Sequence, residues 1–218
     1  MVALESRDGI HVLVLGDDEN RFSPGWIDSF ETALDSVMES PAPLVTVGEG
    51  KYYSNGLDLD WVAADESRLQ PYVARVQSLL ARVLTLGVPT VAAVNGHAFG
   101  AGAMLAMAHD WRVMRSDRGY FCFPEVDIGI PFTSGMAALI QAKLTPRAAV
   151  DAMTTGRRWT APDAVAAGLV DGQATQDELL DTAVARVAGL ENKDSATLAA
   201  IKVGMFGEVR DRLESLEP

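Results

Sequence analysis

Residues 88–131, VPTVAAVNGHAFGAGAMLAMAHDWRVMRSDRGYFCFPEVDIGIP, limit the fold of this chain more than any other stretch. Thr90 to Val94 is a short, apolar, β-branched run of the kind that makes a buried strand, and Asn95-Gly96 ends it. A small-residue turn follows, with glycines at Gly96, Gly100 and Gly102, and Ala103 to His109 then reads as the opening of a buried helix. Strand, glycine turn and helix in that order leave free backbone N–H groups at the positive end of a helix dipole, a place suited to negative charge. The glycine spacing is neither GxGxxG nor a Walker loop. Tight packing alone also produces such a unit, so the turn by itself assigns no chemistry.

Farther on, Phe121-Cys-Phe-Pro-Glu125 brings a carboxylate to the end of an aromatic strand, followed by an apolar turn from Val126 to Phe132. Glu125 on its own reads equally as a solvated surface group. Together, an anion-stabilising turn and a lone carboxylate in apolar surroundings are two halves of a proton-abstraction site.

Several runs in order, YYSNGLDL from Tyr52, AAVNGHAFGAG, AMAHDWRVM, FPEVDIGI and TTGRRWTAPDAVAAGLVD, resemble the enoyl-CoA hydratase/isomerase family, the crotonase superfamily. The resemblance implies an α/β fold, a crotonase-like spiral of ββα units with a C-terminal helical region. It covers a core of residues 1–171, and residues 172–218 are expected to form a helical segment shorter than in typical hydratases. It also implies an acyl-CoA thioester as substrate, no separate cofactor, no metal, and a homotrimer or a dimer of trimers.

Carried over residue by residue, the resemblance makes Glu125 the catalytic carboxylate and the backbone N–H groups of Leu57 and Ala101 the oxyanion hole. Ser54, Gly56, Gly100, Met104 and Phe132 are the corresponding substrate-binding positions. Hydratases of the family use two glutamates, and Met104 stands where the first belongs; a thioether is neither acid nor base. The one remaining carboxylate resembles the Δ3,Δ2-enoyl-CoA isomerase branch, in which a single base moves a proton from C2 to C4. The dienoyl-CoA isomerases need further acidic residues, and Met104 and Thr133 occupy those positions; Asp127 is acidic but is expected to point elsewhere. The PGGGG segment of hydratases is replaced by Pro131-Phe-Thr-Ser-Gly135-Met. Burial beside Phe123, Ile130 and Phe132 is expected to raise the Glu125 pKa. Two alternatives stay open: a hydratase or other acyl-CoA enzyme of the same superfamily, and a non-catalytic acyl-CoA-binding protein.

The rest of the chain supplies the scaffold. Its 218 residues, 48% hydrophobic and 22% charged, suit one substantial soluble domain. A formal net charge of -12 argues against nucleic acid and anionic membranes as partners. Lys51 and Arg68 are candidates for touching CoA phosphates against that global field. The single cysteine, Cys122, excludes an intrachain disulfide and suits a small core residue. No signal-peptide pattern opens the chain, and a cytosolic location is expected.

Asp8-Gly9 predicts a hairpin between two strands, Pro24 opens a helix with Trp26, Ile27, Phe30, Leu34 and Val37 on one face, and Leu44–Val47 reads as a buried strand. Gly48 to Gly56 reads as an irregular loop. Helices are predicted over 70–86, 133–143, 147–154, 176–190 and 195–205, with Thr160 as a capping residue for another that closes at Gly168. The acidic stretch from Glu208 to Glu217 is expected to face solvent. His11, His97 and His109 show no metal spacing; His97, in the glycine turn, is a minor candidate for lining the pocket, and the other two read as structural.

Overall fold

The computed structural model describes residues 2–215, so Glu217, the end of the acidic stretch named above, lies outside them. Asp8 and Gly9, both in the left-handed region at φ 52° and 78°, turn β1 (Ala3–Arg7) back onto β2 (Ile10–Val14) as the expected antiparallel hairpin. Among the described residues a six-stranded sheet then runs β1-β2-β3-β5-β7-β9, every neighbour after the hairpin being parallel. Its later strands are β3 (Leu44–Val47), β5 (Thr90–Val94), β7 (Trp111–Arg115) and β9 (Gly172–Ala174).

The unbroken apolar run of β5 follows from cover on both faces. Val91 and Ala93 pack with Leu179, Ala183 and Val187 of α9 (Gln176–Val187). Ala92 and Val94 join the larger core with α1 (Pro24–Glu39), α3 (Leu69–Leu84) and α4 (Ala101–Ala108). Burying a Leu- or Val-sized side chain is worth about 1.5–3 kcal/mol, so these two layers fix the strand in place. All eight residues of α4 are buried, which is why its sequence has no polar face.

A second sheet of three short parallel strands sits beside the first: β4 (Tyr52–Ser54), β6 (His97–Phe99) and β8 (Phe121–Cys122). Each follows directly on a strand of the large sheet, β3, β5 and β7 in turn, and a helix follows each, α2 (Leu59–Ala63) with α3, then α4, then α5 (Glu125–Ile128). That repeat is the ββα spiral. Two expectations are corrected here. The segment 48–56 is not wholly irregular and 96–102 is not all turn, because Tyr52 pairs with His97 and Ser54 with Ala98, and local composition does not register pairing between distant segments.

The remaining helices are α6 (Ser134–Lys143), α7 (Pro146–Thr154), α8 (Ala161–Ala167) and α10 (Ser195–Glu214). Thr160 precedes α8 without a side-chain capping bond, whereas Thr133 and Thr145 do cap α6 and α7. The segment from 172 opens on β9, an edge strand of the large sheet, before its two helices. Within the acidic stretch Glu208, Asp211 and Glu214 are exposed, as expected, on a helix α10 that continues to Glu214 and buries Leu213 against Gly135. No helix among the described residues is long and apolar enough to cross a membrane.

Candidate active site

The three strands of the small sheet run parallel, so their carboxyl ends emerge side by side. From the end of β4 come Gly56 and Leu57, from β6 Gly100 and Ala101, and from β8 Pro124 and Glu125. Loops at the carboxyl ends of parallel strands are where α/β folds build ligand sites. Here Leu57, Gly100, Ala101 and Glu125 all line one cavity of about 300 Å³, with Phe99, Leu59, Ile128 and Ile130 as apolar walls and Arg21, Asn55 and Asp60 at its polar side.

The approach of the first two loops is set by glycine. At Gly56, φ 77°, a Cβ would stand 2.9 Å from Ala101 N, so the backbones of the two loops are in direct contact. Gly100, φ 52°, turns the chain from β6 into α4, and a Cβ there would be 3.4 Å from Glu125 Oε1. Gly100 N–H donates to Cys122 O at 3.0 Å, tying this turn to β8. The helix α4 therefore begins at Ala101, two residues earlier than its composition suggests. Neither the Leu57 N–H nor the Ala101 N–H donates to any acceptor among the described residues. Both are free donors at the cavity wall, and Ala101 is the first residue of a helix, where the dipole favours negative charge.

Glu125 starts α5 behind Pro124 and is 8% exposed. Its Oε2 is buried without a hydrogen-bond partner. Burial pushes its pKa up from 4.5 to about 7, opposed by its own backbone N–H. The other carboxylate on the cavity wall, Asp60, is 88% exposed and ion-paired to Arg21 at 2.6 Å. One buried carboxylate with an unpartnered oxygen thus shares a cavity with two free N–H groups, an arrangement that can take a proton at one point while negative charge is stabilised at another.

The other named positions lie elsewhere. Ser54 is fully buried behind the wall, where its Oγ donates to Asn20 O at 2.7 Å and accepts from Gly56 N–H at 3.1 Å. Gly56 itself packs against the Phe99–Gly102 backbone. Met104 is a core residue, 2% exposed, and Phe132 is half-buried, edge-on to Phe123 at 6.2 Å. Lys51 is exposed over the Tyr52 ring, and Arg68 stacks on Trp61 and pairs with Asp65 at 3.4 Å; neither lines the cavity. The Asp127 carboxylate lies against the Gly156 backbone, away from the cavity. His97 is wedged among Tyr52, Phe99 and Tyr120, one residue's depth from the cavity wall. Burial, and then Lys51, Arg118 and Arg158, hold its pKa down. Cys122 donates to Gly156 O at 3.3 Å, and burial lifts its thiol to about 11.

Two asparagines brace the site. Asn95 Oδ1 accepts from Gly48 N–H at 2.9 Å, and its Nδ2 donates to Gly50 O and Tyr52 O. Asn20 Nδ2 donates to Gly16 O, Tyr52 O and Tyr53 O. Asn95 stood in the sequence only as a strand breaker; its burial at the end of an apolar strand was the signal that it bonds something. Arg21, Asn55 and Leu59 carried no such signal.

The family model described as enoyl-CoA hydratase/isomerase matches residues 5–216. The chain belongs to that family. Among individual relatives, "Enoyl-CoA delta isomerase 1, peroxisomal" of Arabidopsis thaliana is 38% identical over 177 residues, 78% of this chain and 74% of the relative. "Enoyl-CoA delta isomerase 3" of the same plant is 38% identical over 183 residues, 80% of this chain and 77% of the relative. Of solved structures, an enoyl-CoA hydratase/isomerase family protein from Pseudomonas syringae superposes with a TM-score of 0.92 at 26% identity, covering 98% of this chain and 93% of the other.

Proposed function

We propose that this chain is an enoyl-CoA isomerase that shifts the double bond of a 3-enoyl-CoA to the 2-trans position. The observation that carries the reading is Glu125, the one buried carboxylate among the described cavity-lining residues, with an unpartnered oxygen and a pKa near 7. In this reading Glu125, ionised, takes the proton from C2. The electrons of the C–H bond move into a dienolate whose charge rests on the thioester oxygen. The N–H groups of Leu57 and Ala101 receive that charge, each worth about 2.7–4 kcal/mol of barrier by analogy with other oxyanion donors. Glu125-H then returns the proton to C4, and the double bond stands at C2. C2 and C4 are close enough for one carboxylate to serve both, so no second acid is required, in keeping with Met104 in the core.

Ser54 and Gly56 act in this scheme by holding the Leu57 N–H, not by touching substrate. CoA enters as part of the substrate, and no separate cofactor takes part. The two Arabidopsis relatives, named as enoyl-CoA delta isomerases, support the assignment. A homotrimer or a dimer of trimers is our reading of assembly, resting on the family likeness; the free Cys122 suits a reducing compartment without choosing between the cytosol and the peroxisome for which one relative is named.

The test is conversion of 3-hexenoyl-CoA to 2-trans-hexenoyl-CoA by purified protein, next to hydration of 2-trans-hexenoyl-CoA and next to Glu125→Gln. Isomerisation that vanishes in the variant, with hydration slower by orders of magnitude, is the expected result. Hydration as fast as isomerisation would give the site to the hydratase reading. Binding of both thioesters with neither reaction would give it to a non-catalytic acyl-CoA-binding protein.

A further inference from the structure

A second cavity, of about 530 Å³, opens on a different face, between α10, the end of α6 and the leading ends of β5 and β7. Its size falls within the roughly 300–1,000 Å³ typical of small-molecule sites. The outer wall is apolar and unusually wet: Ile201 is 53% exposed and Met205 66%. The floor is cationic. Arg112 is paired with Asp171 at 3.0 Å, and Lys202 with Asp110 at 2.6 Å while also donating to Val88 O.

Lys143 differs from both. Its Nζ donates to His109 O at 3.0 Å and lies 4.5 Å from the centre of the Phe206 ring, but no carboxylate oxygen among the described residues is within 4.0 Å. An ammonium has three N–H groups, and one is used. Burial, and then repulsion from Arg112, bring its pKa down to about 8. Three cations here face two carboxylates, and Lys193 on the rim adds a fourth positive charge, in a chain whose net charge is -12. A half-buried cation with no carboxylate oxygen within 4.0 Å among the described residues, set below an exposed apolar wall, is complementary to a molecule with an anionic head and an alkyl tail.

We infer that this cavity binds a single-chain fatty carboxylate, its head on Lys143 and its alkyl chain beneath Ile201, Met205 and Phe206. The site is separate from the catalytic cavity, and the inference stands whether or not the isomerase reading holds.

Calorimetric titration with decanoate, below its micelle concentration, tests it, with decanol as the neutral control. The expected result is saturable one-to-one binding of decanoate and at least about tenfold weaker binding of decanol. Lys143→Met is expected to weaken decanoate by about tenfold or more, and Lys143→Arg to restore most of it. Met205→Glu, at a position 66% exposed, is expected to weaken it similarly by setting a charge against the alkyl chain. Ile128→Ser, in the catalytic cavity, is expected to leave decanoate binding unchanged. No saturable binding, or binding lost in Ile128→Ser and kept in Lys143→Met, would overturn the proposal. So would self-association in sedimentation that excludes decanoate and is lost in Met205→Glu, since the face would then belong to a second copy.

Discussion

Two buried polar groups, Glu125 and His109, sit at the two ends of the same piece of chain and meet opposite fates. His109 follows α4 and is fully buried, yet both ring nitrogens are satisfied: Nδ1 by Leu105 O at 2.8 Å and Nε2 by Thr46 Oγ1 at 3.0 Å, which in turn meets Tyr53 OH at 2.8 Å. Glu125 follows β8 and keeps one carboxylate oxygen with no partner at all. Burial pushes both toward neutrality, His109 down to about 4 and Glu125 up to about 7. The saturated group holds two layers together; the unsaturated one stores a binding capacity for something not part of the chain. Between these two groups it is the completeness of hydrogen bonding, rather than the size of a pKa shift, that separates scaffold from site.

The sharpest way to break that comparison is to alter both groups and read activity. Glu125→Gln keeps the shape and removes the base, and isomerisation is expected to fall by about 10²–10⁴-fold while the thioester still binds. With a base near pH 7, kcat/KM is also expected to drop about tenfold for each pH unit below 7. His109→Ala is expected to do the reverse. Losing a buried ring and two hydrogen bonds costs about 3–5 kcal/mol of stability in denaturant titration, with turnover per folded molecule little changed. Equal activity losses in the two variants would erase the distinction.

Stability against pH sharpens it further. The folded pKa of Glu125, about 7, lies above its unfolded value of 4.5, so its contribution is full below pH 4.5 and is lost as pH rises through 7. Glu125→Gln is therefore expected to stabilise the protein by about 3 kcal/mol at pH 8 and by almost nothing at pH 4. For His109 the sign inverts. Its folded pKa, about 4, lies below 6.5, so its contribution is present above pH 6.5 and lost as pH falls toward 4. Urea melts of wild type and both variants at pH 4, 6 and 8 separate the two curves. A Glu125→Gln effect independent of pH would mean that the carboxylate is not desolvated.

How far such a site can be read from sequence depends on whether its parts are local. The β5 strand was legible because both of its faces are covered, and the turn at Gly100 because φ 52° combined with ψ -122° is a backbone conformation that glycine takes readily and other residues do not. Glu125 announced itself by an aromatic strand and a proline. The three-residue strands β4 and β6 did not, since they exist only through pairing with each other and with β8. Nor did the end of α10, whose acidic residues hid the one buried side chain, Leu213, that anchors it. Met104 shows the opposite limit: the resemblance made it a substrate-binding position, but its side chain is 2% exposed in a helix whose apolar composition already marked it as buried.

The bracing asparagine and serine test whether the site's precision comes from its second row of residues. Asn95→Ala would leave the Gly48 N–H and two loop carbonyls without their partner, and is expected to cost about 1–3 kcal/mol. Ser54→Ala is the smallest change. It removes one hydroxyl that joins Asn20 O to the Gly56 N–H, worth about 0.5–1.5 kcal/mol of stability. If that hydroxyl merely fills the core, kcat/KM should stay at the wild-type value once the protein is folded. If it holds the turn so that the Leu57 N–H faces the thioester oxygen, kcat should fall several-fold with KM nearly unchanged, because the charge it serves exists only in the transition state. The free N–H of Leu57 in a loop so closely tied predicts the second outcome.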